Sequence, residues 1–516
     1  MKKNILAAVL FAFAVFFAFP QEPDDQDDFN FDEAETNQEN NFSIHAGGSL
    51  YAGINFSFSD FKNLKNYQPG LPVWGNLHIE AKAPLTEAYF GIVVSDKTIP
   101  QIALVEKTVM SAEPIIPSWI GEAYMQVIAG QAVFGGGVKK MTWGKADAMS
   151  VLDVLNPHDY TDFSELDNEK TKIPQPMFYL SAYLPLEMKL DFVYLPIFEP
   201  HRAALSGRWQ SMDIASNLKD IPQEIMQILQ TDGFTAAKIS KNALTKLKAI
   251  ETNTLNYSQG GARYTVTIDG THDLGMQYFC GLLPTPAVKF DSPIDVNHIT
   301  EQGKAAFNAA IAEGKDFNEA MSIAQTESYK AAAPLLKTMF DSISFVYNRY
   351  HQIGIDYGTA IGPVNLRTEF AANITSDLEG NNPYIYNPNL AWNIGLDYTM
   401  PFNISINIQA METIKLRSKK IGKGSYSFDI EKTAKITDTR LIFILSQRLV
   451  RGSLEWKIIA VTGIEDADFM IAPGVHWQFG TLLLDADLGF FGGKKTGKLG
   501  RYGDNHFIKL SVGYTF

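Results

Sequence analysis

A single cysteine, Cys280, in 516 residues excludes an intramolecular disulfide. It also lies too far from the amino terminus to carry a lipid anchor. Positive charge is scarce, with 44 Lys and Arg against 57 Asp and Glu and a net charge of −13. Such a chain lacks the basic field that nucleic acid requires, and no nucleic-acid partner is expected. Beyond Phe19 no apolar run approaches the roughly 18 residues that a transmembrane helix needs. The nine histidines show no metal-ligand spacing, and neither Gly-x-Ser-x-Gly nor His-Glu-x-x-His occurs. Gly135-Gly136-Gly137 lacks the spacing of a nucleotide fingerprint. No catalytic constellation, cofactor or metal is therefore expected. Glu465, Asp466 and Asp468 could hold calcium, although three solvated carboxylates on an exposed turn is the simpler reading.

What is present begins with an export signature. Lys2 and Lys3 precede an apolar stretch from Ile5 to Phe19, which reads as a signal peptide over residues 1–20 with cleavage near 18–22. Residues 21–41 carry nine acidic side chains and no Lys or Arg. This stretch reads as a solvated, disordered leader on the periplasmic side. An exported chain this apolar, with no helical span, either stays soluble or crosses a membrane with strands.

The pattern favours strands. Alternating runs occur at 42–58, 73–83, 88–95, 118–129, 132–144, 174–185, 187–197, 260–268, 273–283, 345–360, 363–375, 390–400, 402–415, 438–450, 453–464, 470–480, 481–492 and 506–516. That makes about 18 strands, within a range of 16–18, in an all-β transmembrane antiparallel barrel over residues 42–516. Tight connectors such as Gly130-Gln131, Asp269-Gly-Thr-His272 and Gly480-Thr481 alternate with long ones, which is the sidedness of periplasmic turns and outer loops. Period two assigns Leu390, Trp392, Ile394, Leu396 and Tyr398 to lipid, with Asn393 and Asp397 facing water. The same rule puts Arg263, Arg367, Glu369, Asp485 and Asp487 on the inner wall, where Arg367 and Asp485 could form a structural ion pair. Cys280 falls on a lipid-facing row with Met276, Tyr278 and Leu282. Tyr51, Trp74, Trp119, Tyr179 and Trp456 lie near strand ends and are expected in interfacial girdles.

The last run, His506 to Phe516, alternates without a break and ends the chain on an aromatic residue. With Lys509, Ser511, Tyr514 and Phe516 it resembles the carboxy-terminal recognition strand of Gram-negative outer-membrane β-barrels, where Ser511 replaces the usual Gly. The resemblance implies a location in the cell outer membrane with both termini periplasmic. It also implies outer-membrane lipid, periplasmic chaperones and the assembly machinery as partners, in a monomer or homotrimer.

Residues 145–173 form the third long connector. Asn156-Pro157 marks a turn, and Asp153, His158, Asp159 and Asp162 supply acceptors opposite Lys139, Lys140 and Lys145. Gly135 to Gly137 remove side chains from the preceding strand and would let another backbone approach on the lumenal side. The segment resembles a Trp-Gly followed by Asn-Pro-x-Asp, here carried by Trp143, Gly144, Asp147, Asn156, Pro157 and Asp159, found after a Gly-rich strand in porin-like outer-membrane families of unassigned substrate. That resemblance implies an inward loop narrowing a pore for small hydrophilic solutes. On the residues alone, Asp159 and His158 could equally cap local backbone, with Trp143 merely anchoring the loop.

Two connectors, 211–251 and 298–343, space Ile, Leu, Met and Ala at helical intervals. Their helices either pair into a cap or plug the lumen. A carrier of lipid-like compounds and a surface adhesin stand as alternatives to the pore.

Overall fold

The computed structural model describes residues 42–57, 73–95, 109–110, 115–204, 207–210, 223–231, 235–292, 294–421, 430–431 and 435–516. The signal peptide, the acidic leader and residues 211–222 of the first helical insertion lie outside these.

Eighteen antiparallel strands form one ring. In chain order they are β1 (Ser43–Ser57), β2 (Val73–Ala83), β3 (Thr86–Val94), β4 (Ile120–Ala129), β5 (Ala132–Lys139) and β6 (Gln175–Leu184). Next come β7 (Met188–Leu195), β8 (Gln259–Ile268), β9 (His272–Leu282), β10 (Arg349–Ile361), β11 (Val364–Thr375) and β12 (Asn389–Met400). The ring ends with β13 (Ile404–Lys415), β14 (Thr437–Leu449), β15 (Leu454–Gly463), β16 (Asp468–Phe479), β17 (Leu482–Gly493) and β18 (Phe507–Thr515). Each strand pairs with its neighbours in sequence, and β18 returns to β1 from Ser57–Phe507 to Ser49–Thr515. Closure leaves the sheet no open edge, the condition under which strands can cross a bilayer.

Apart from the four-residue β15–β16 turn, residues 464–467, the tight connectors fall at one end of the cylinder. Asp269 (φ 52°) and Gly270 (φ 63°) both adopt left-handed backbone in the three-residue connector between β8 and β9, the pair of positive φ values whose twist matches the flanking strands. Gly130, Gly362 and Gly480 take the same region at three other turns.

Period two sorts the faces. Met125, Met276, Ile353, Ile394, Ile408, Val475 and Val512 are exposed on the outside, where lipid rather than water suits them. The alternate residues point inward, where Asn393, Gln409, Gln277, Gln352, Arg263 and Ser511 are buried. Tyr51, Trp74 and Tyr179 prove to be inward too: Tyr51 pairs with Gly513 and shares the face of Asn55, and Tyr179 pairs with inner-wall Gly135. They are not girdle residues. Their place is set by register parity, which overrides proximity to a strand end.

The helical insertions give α1 (Gln223–Thr231), α2 (Ala236–Lys248), α3 (Val296–Ala312) and α4 (Phe317–Asp341). Ile225 and Leu229 of α1 pack with Ile239 of α2 and with Ala332 and Ala333 of α4. Leu247 of α2 joins Phe198, Leu282 and Tyr347 at the long-loop ends of β9 and β10. The insertions therefore bury their stripes against one another.

Candidate pore constriction

The third long loop leaves β5 at Lys139 and turns into the bore. Trp143 is 2% exposed and meets Phe279 of β9 edge-on at 6.5 Å. Its ring lies over Gly261 of β8, where an added Cβ would come within 2.9 Å of the indole. Glycine there admits the anchor. At Gly144 the backbone takes φ +98°, and the chain bends toward the far wall.

Glu369 of β11 receives it. One carboxylate oxygen accepts from Lys145 N at 2.6 Å and Ala146 N at 2.8 Å. The other accepts from Ser150 Oγ at 2.8 Å and Val151 N at 2.9 Å. An anion accepting four donors in a site closed to water makes strong, charge-assisted bonds. Side-chain amides continue the clamp on both sides. Gln277 of β9 donates to Leu152 O at 2.8 Å, and Gln352 of β10 to Val151 O at 3.1 Å. Asn393 of β12 and Gln409 of β13 both donate to Met149 O. Leu152, fully buried, fills the space beside Ala371 and Ala391.

Charges surround this clamp. Lys145 pairs with Asp273 at 2.8 Å. Asp147 meets Arg367 and accepts from Asn407 at 3.0 Å, while Arg367 lies 3.6 Å from Asp397. Arg367 and Asp485 do not pair, because β11 and β17 are six strands apart in the ring. Asp485 instead lies 3.0 Å from His476 Nδ1, with Asp487 3.4 Å from Nε2 of the same ring.

The chain then returns across the bore. Asn156 ties the loop's two legs, accepting from Met141 N at 2.8 Å and donating to Lys139 O and Ile173 O. Ser164 accepts from Asn55 of β1 at 2.6 Å, and Glu165 pairs with Lys509 of β18 at 3.3 Å. β11 and β1 are eight strands apart in a ring of eighteen. The loop thus touches nearly opposite walls.

Several residues named from sequence serve the loop itself. Asp153 pairs at 2.7 Å with Lys172, whose side chain is wholly buried. Asp159 accepts from Thr161 N, and Asp162 from Ser164 N, each at 2.9 Å; both cap local turns. Arg263 is buried against Asp356 at 2.7 Å. Lys139 stands 3.7 Å above the Tyr124 ring, and Lys140 donates to Glu169 O at 2.7 Å. Over Gly135 lies the Tyr179 ring, so close that a Cβ would come within 2.1 Å of it. Gly135 thus accommodates an aromatic side chain, whereas at Gly137 an added Cβ would come within 2.2 Å of the backbone oxygen of Ala123 on the neighbouring strand. Gln277, Gln352 and Lys172 were missed altogether; the only signal for the two glutamines is their position on the inward row.

His158 packs 5.9 Å from His201, whose Nδ1 accepts from His158 N at 2.7 Å. Burial lowers His158 to about 4, helped by the Lys172 charge. Burial and then His158 lower His201 to about 3. Imidazoles depressed below their unfolded value of about 6.5 stabilise the packed loop fully above that pH. That contribution is lost as the pH falls toward 4 and then 3. Asp153, pushed up to about 6 by burial against the pull of Lys172, works in the opposite direction and offsets part of the loss. Two imidazoles outweigh one carboxyl, so hydrogen-exchange protection over 156–173, corrected for intrinsic rates, should fall between pH 6.5 and 4. Constant or rising protection would contradict this packing.

No family model matches the chain, and no curated protein matches its sequence. Solved structures do resemble it. Acinetobacter baumannii OccAB4 aligns over 93% of this chain and 100% of its own at 8% identity and a TM-score of 0.45. Pseudomonas aeruginosa OccK3 (OpdO) aligns over 92% and 95% at 7% identity and a TM-score of 0.43. Salmonella typhi OmpF, in a complex with daunomycin, aligns over 92% and 97% at 7% identity and a TM-score of 0.37. Likeness at this level bears on neither solute nor mechanism.

Proposed function

We propose that this chain is an outer-membrane channel through which small hydrophilic solutes move down their gradient, narrowed by the inward loop at 145–173. The observation that carries the reading is the Glu369 clamp, four donors from one loop held by one buried inner-wall carboxylate. A loop fixed this way across a closed cylinder narrows the bore. The greasy outer rows and polar inner rows suit a wall between lipid and water. Tight turns and both termini then face the periplasm, and the long loops and helical cap face outward. Lys509, Ser511, Tyr514 and Phe516, on the strand that closes the ring, would be read by the assembly machinery. A carrier of apolar compounds needs an unfilled greasy pocket, whereas the space between the helices is occupied by Ile225, Leu229 and Ile239.

The test is electrical. Purified protein added to planar bilayers should insert in discrete conductance steps, and in liposomes should admit small sugars or amino acids. Absence of both conductance and flux rejects the reading.

A further inference from the structure

The inward loop fills one side of the bore. Its Trp143 and Leu155 pack against Met177, Val193, Phe279 and Tyr350 of β6, β7, β9 and β10, so among the described residues the opening it leaves runs along the rest of the wall. The loop's return leg meets that wall where Glu165 pairs with Lys509 of β18. Beside this contact three side chains of β16 and β17 form a row that anchors nothing.

His476 of β16 faces Glu455 across one strand and Asp485 across the other. Its Nδ1 lies 3.0 Å from Asp485 and its Nε2 3.4 Å from Asp487. Gly474 makes the second approach possible. An added Cβ there would come within 2.5 Å of the Asp487 carboxylate and 3.3 Å of the His476 ring, so a side chain would occupy the space in which the two groups meet. Ser511 donates to Asp485 at 3.1 Å and steadies it. His476 itself is 43% exposed on the inward face, open to passing ions.

The charges around the row close in pairs. Glu165 has Lys509, Glu455 has Arg448 at 3.3 Å, and Asp167 has Lys170 at 4.0 Å. Lys457 of β15 stands opposite Gly474. Among the described residues this leaves two carboxylates, Asp485 and Asp487, against Lys457 and the imidazole. With a proton on each nitrogen the ring is a cation with an acid on either side, and the row balances. With a single proton the row is left one unit negative. Histidine is the side chain whose ordinary range allows that change near neutral pH.

We propose that Asp485, His476 and Asp487 are the charge selector of this channel: the doubly protonated imidazole cancels one carboxylate, and its loss of a proton leaves the opening selective for cations. A unit charge beside a narrow aqueous path acts on every ion that passes, drawing cations and repelling anions, and salt weakens it. This assignment rests on the channel reading and adds its ionic preference. His45 and His78 also face the bore, from β1 and β2, and the variants below separate their contribution.

The experiment measures reversal potential in planar bilayers across a potassium chloride gradient near about 0.1 M, at about pH 6 and about pH 9. In the parent protein the ratio of potassium to chloride permeability should rise about threefold from the lower pH to the higher. His476→Gln, which carries no charge, should show the raised ratio at both. Asp487→Asn should lower the ratio about threefold at the higher pH, and gives a reading of opposite sign should His476→Gln fail to insert. A parent ratio that stays flat, a rise that His476→Gln retains in full, or a ratio unmoved by Asp487→Asn overturns the proposal. In each of those outcomes the current persists and the channel stands; a protein that never conducts removes both.

Discussion

Glu369→Ala should open the bore: single-channel conductance rises, and solutes excluded by the parent protein enter liposomes. The parent carboxylate accepts from Lys145 N, Ala146 N, Ser150 Oγ and Val151 N, and it is 3% exposed. Hydrogen bonds to a charged acceptor contribute about 1.5–3 kcal/mol each, and donors left buried and unmet cost comparable amounts. Loosening of the loop by about 3 kcal/mol or more is therefore expected, with the four donors turning to water that enters the bore. Glu369→Gln should fall between, because its amide keeps one acceptor oxygen while its NH2 opposes the loop's own N–H groups. The barrel itself has no stake in this contact, so the temperature of the folded-to-unfolded shift on a gel should move little. Unchanged conductance in Glu369→Ala would mean that the loop does not set the narrowest point.

Arg440→Leu should destabilise the long-loop rim by about 3–5 kcal/mol, seen as a lower temperature for the same gel shift. The guanidinium of Arg440 lies 3.0 Å from Asp438, 3.0 Å from Asp466 and 3.1 Å from Asp468. Asp468 is fully buried and accepts also from Leu499 N and Gly500 N, so it joins the last long loop to the β15–β16 turn. Without Arg440 three carboxylates face one another with the innermost denied water. Adding Asp468→Asn should recover part of the loss by removing the worst-placed charge. This arrangement also corrects the reading of Glu465, Asp466 and Asp468 as three solvated carboxylates: Asp466 and Asp468 close on Arg440, and Glu465 accepts from Thr439 N and Oγ1.

The barrel was legible because its code is local. Alternation of period two and the succession of tight and long connectors can be read within a dozen residues, and every alternating run marked out in the sequence overlaps a strand of the ring. Side-chain duties inside the bore were less legible, for two physical reasons. Parity was set aside for Tyr51, Trp74 and Tyr179 in favour of closeness to strand ends, and parity decides the face. The clamp joins Lys145 to Glu369, 224 positions apart, and no periodicity encodes a contact at that range. Asp147 and Arg367 were marked as lumenal candidates, and the structure brings them together. Asp159 follows the alternative visible in the sequence, in which it caps local backbone, and Asp162, which that alternative did not include, caps its own turn in the same way. The helical stripes announced their need for a partner, and the partner is the other insertion.

Thiol accessibility along one strand probes the hydrated cylinder most directly. With Cys280→Ser as background, single cysteines are placed in turn from Leu390 to Thr399 on β12, and the protein in liposomes is exposed to a small charged methanethiosulfonate. Labelling should alternate, with Gly395 and Asp397 positions reacting and Ile394, Leu396 and Tyr398 positions silent; Asn393 should react only once Glu369→Ala has freed the loop that covers it. Uniform labelling of the two rows, or labelling confined to the greasy one, would contradict a closed barrel with lipid outside and water within.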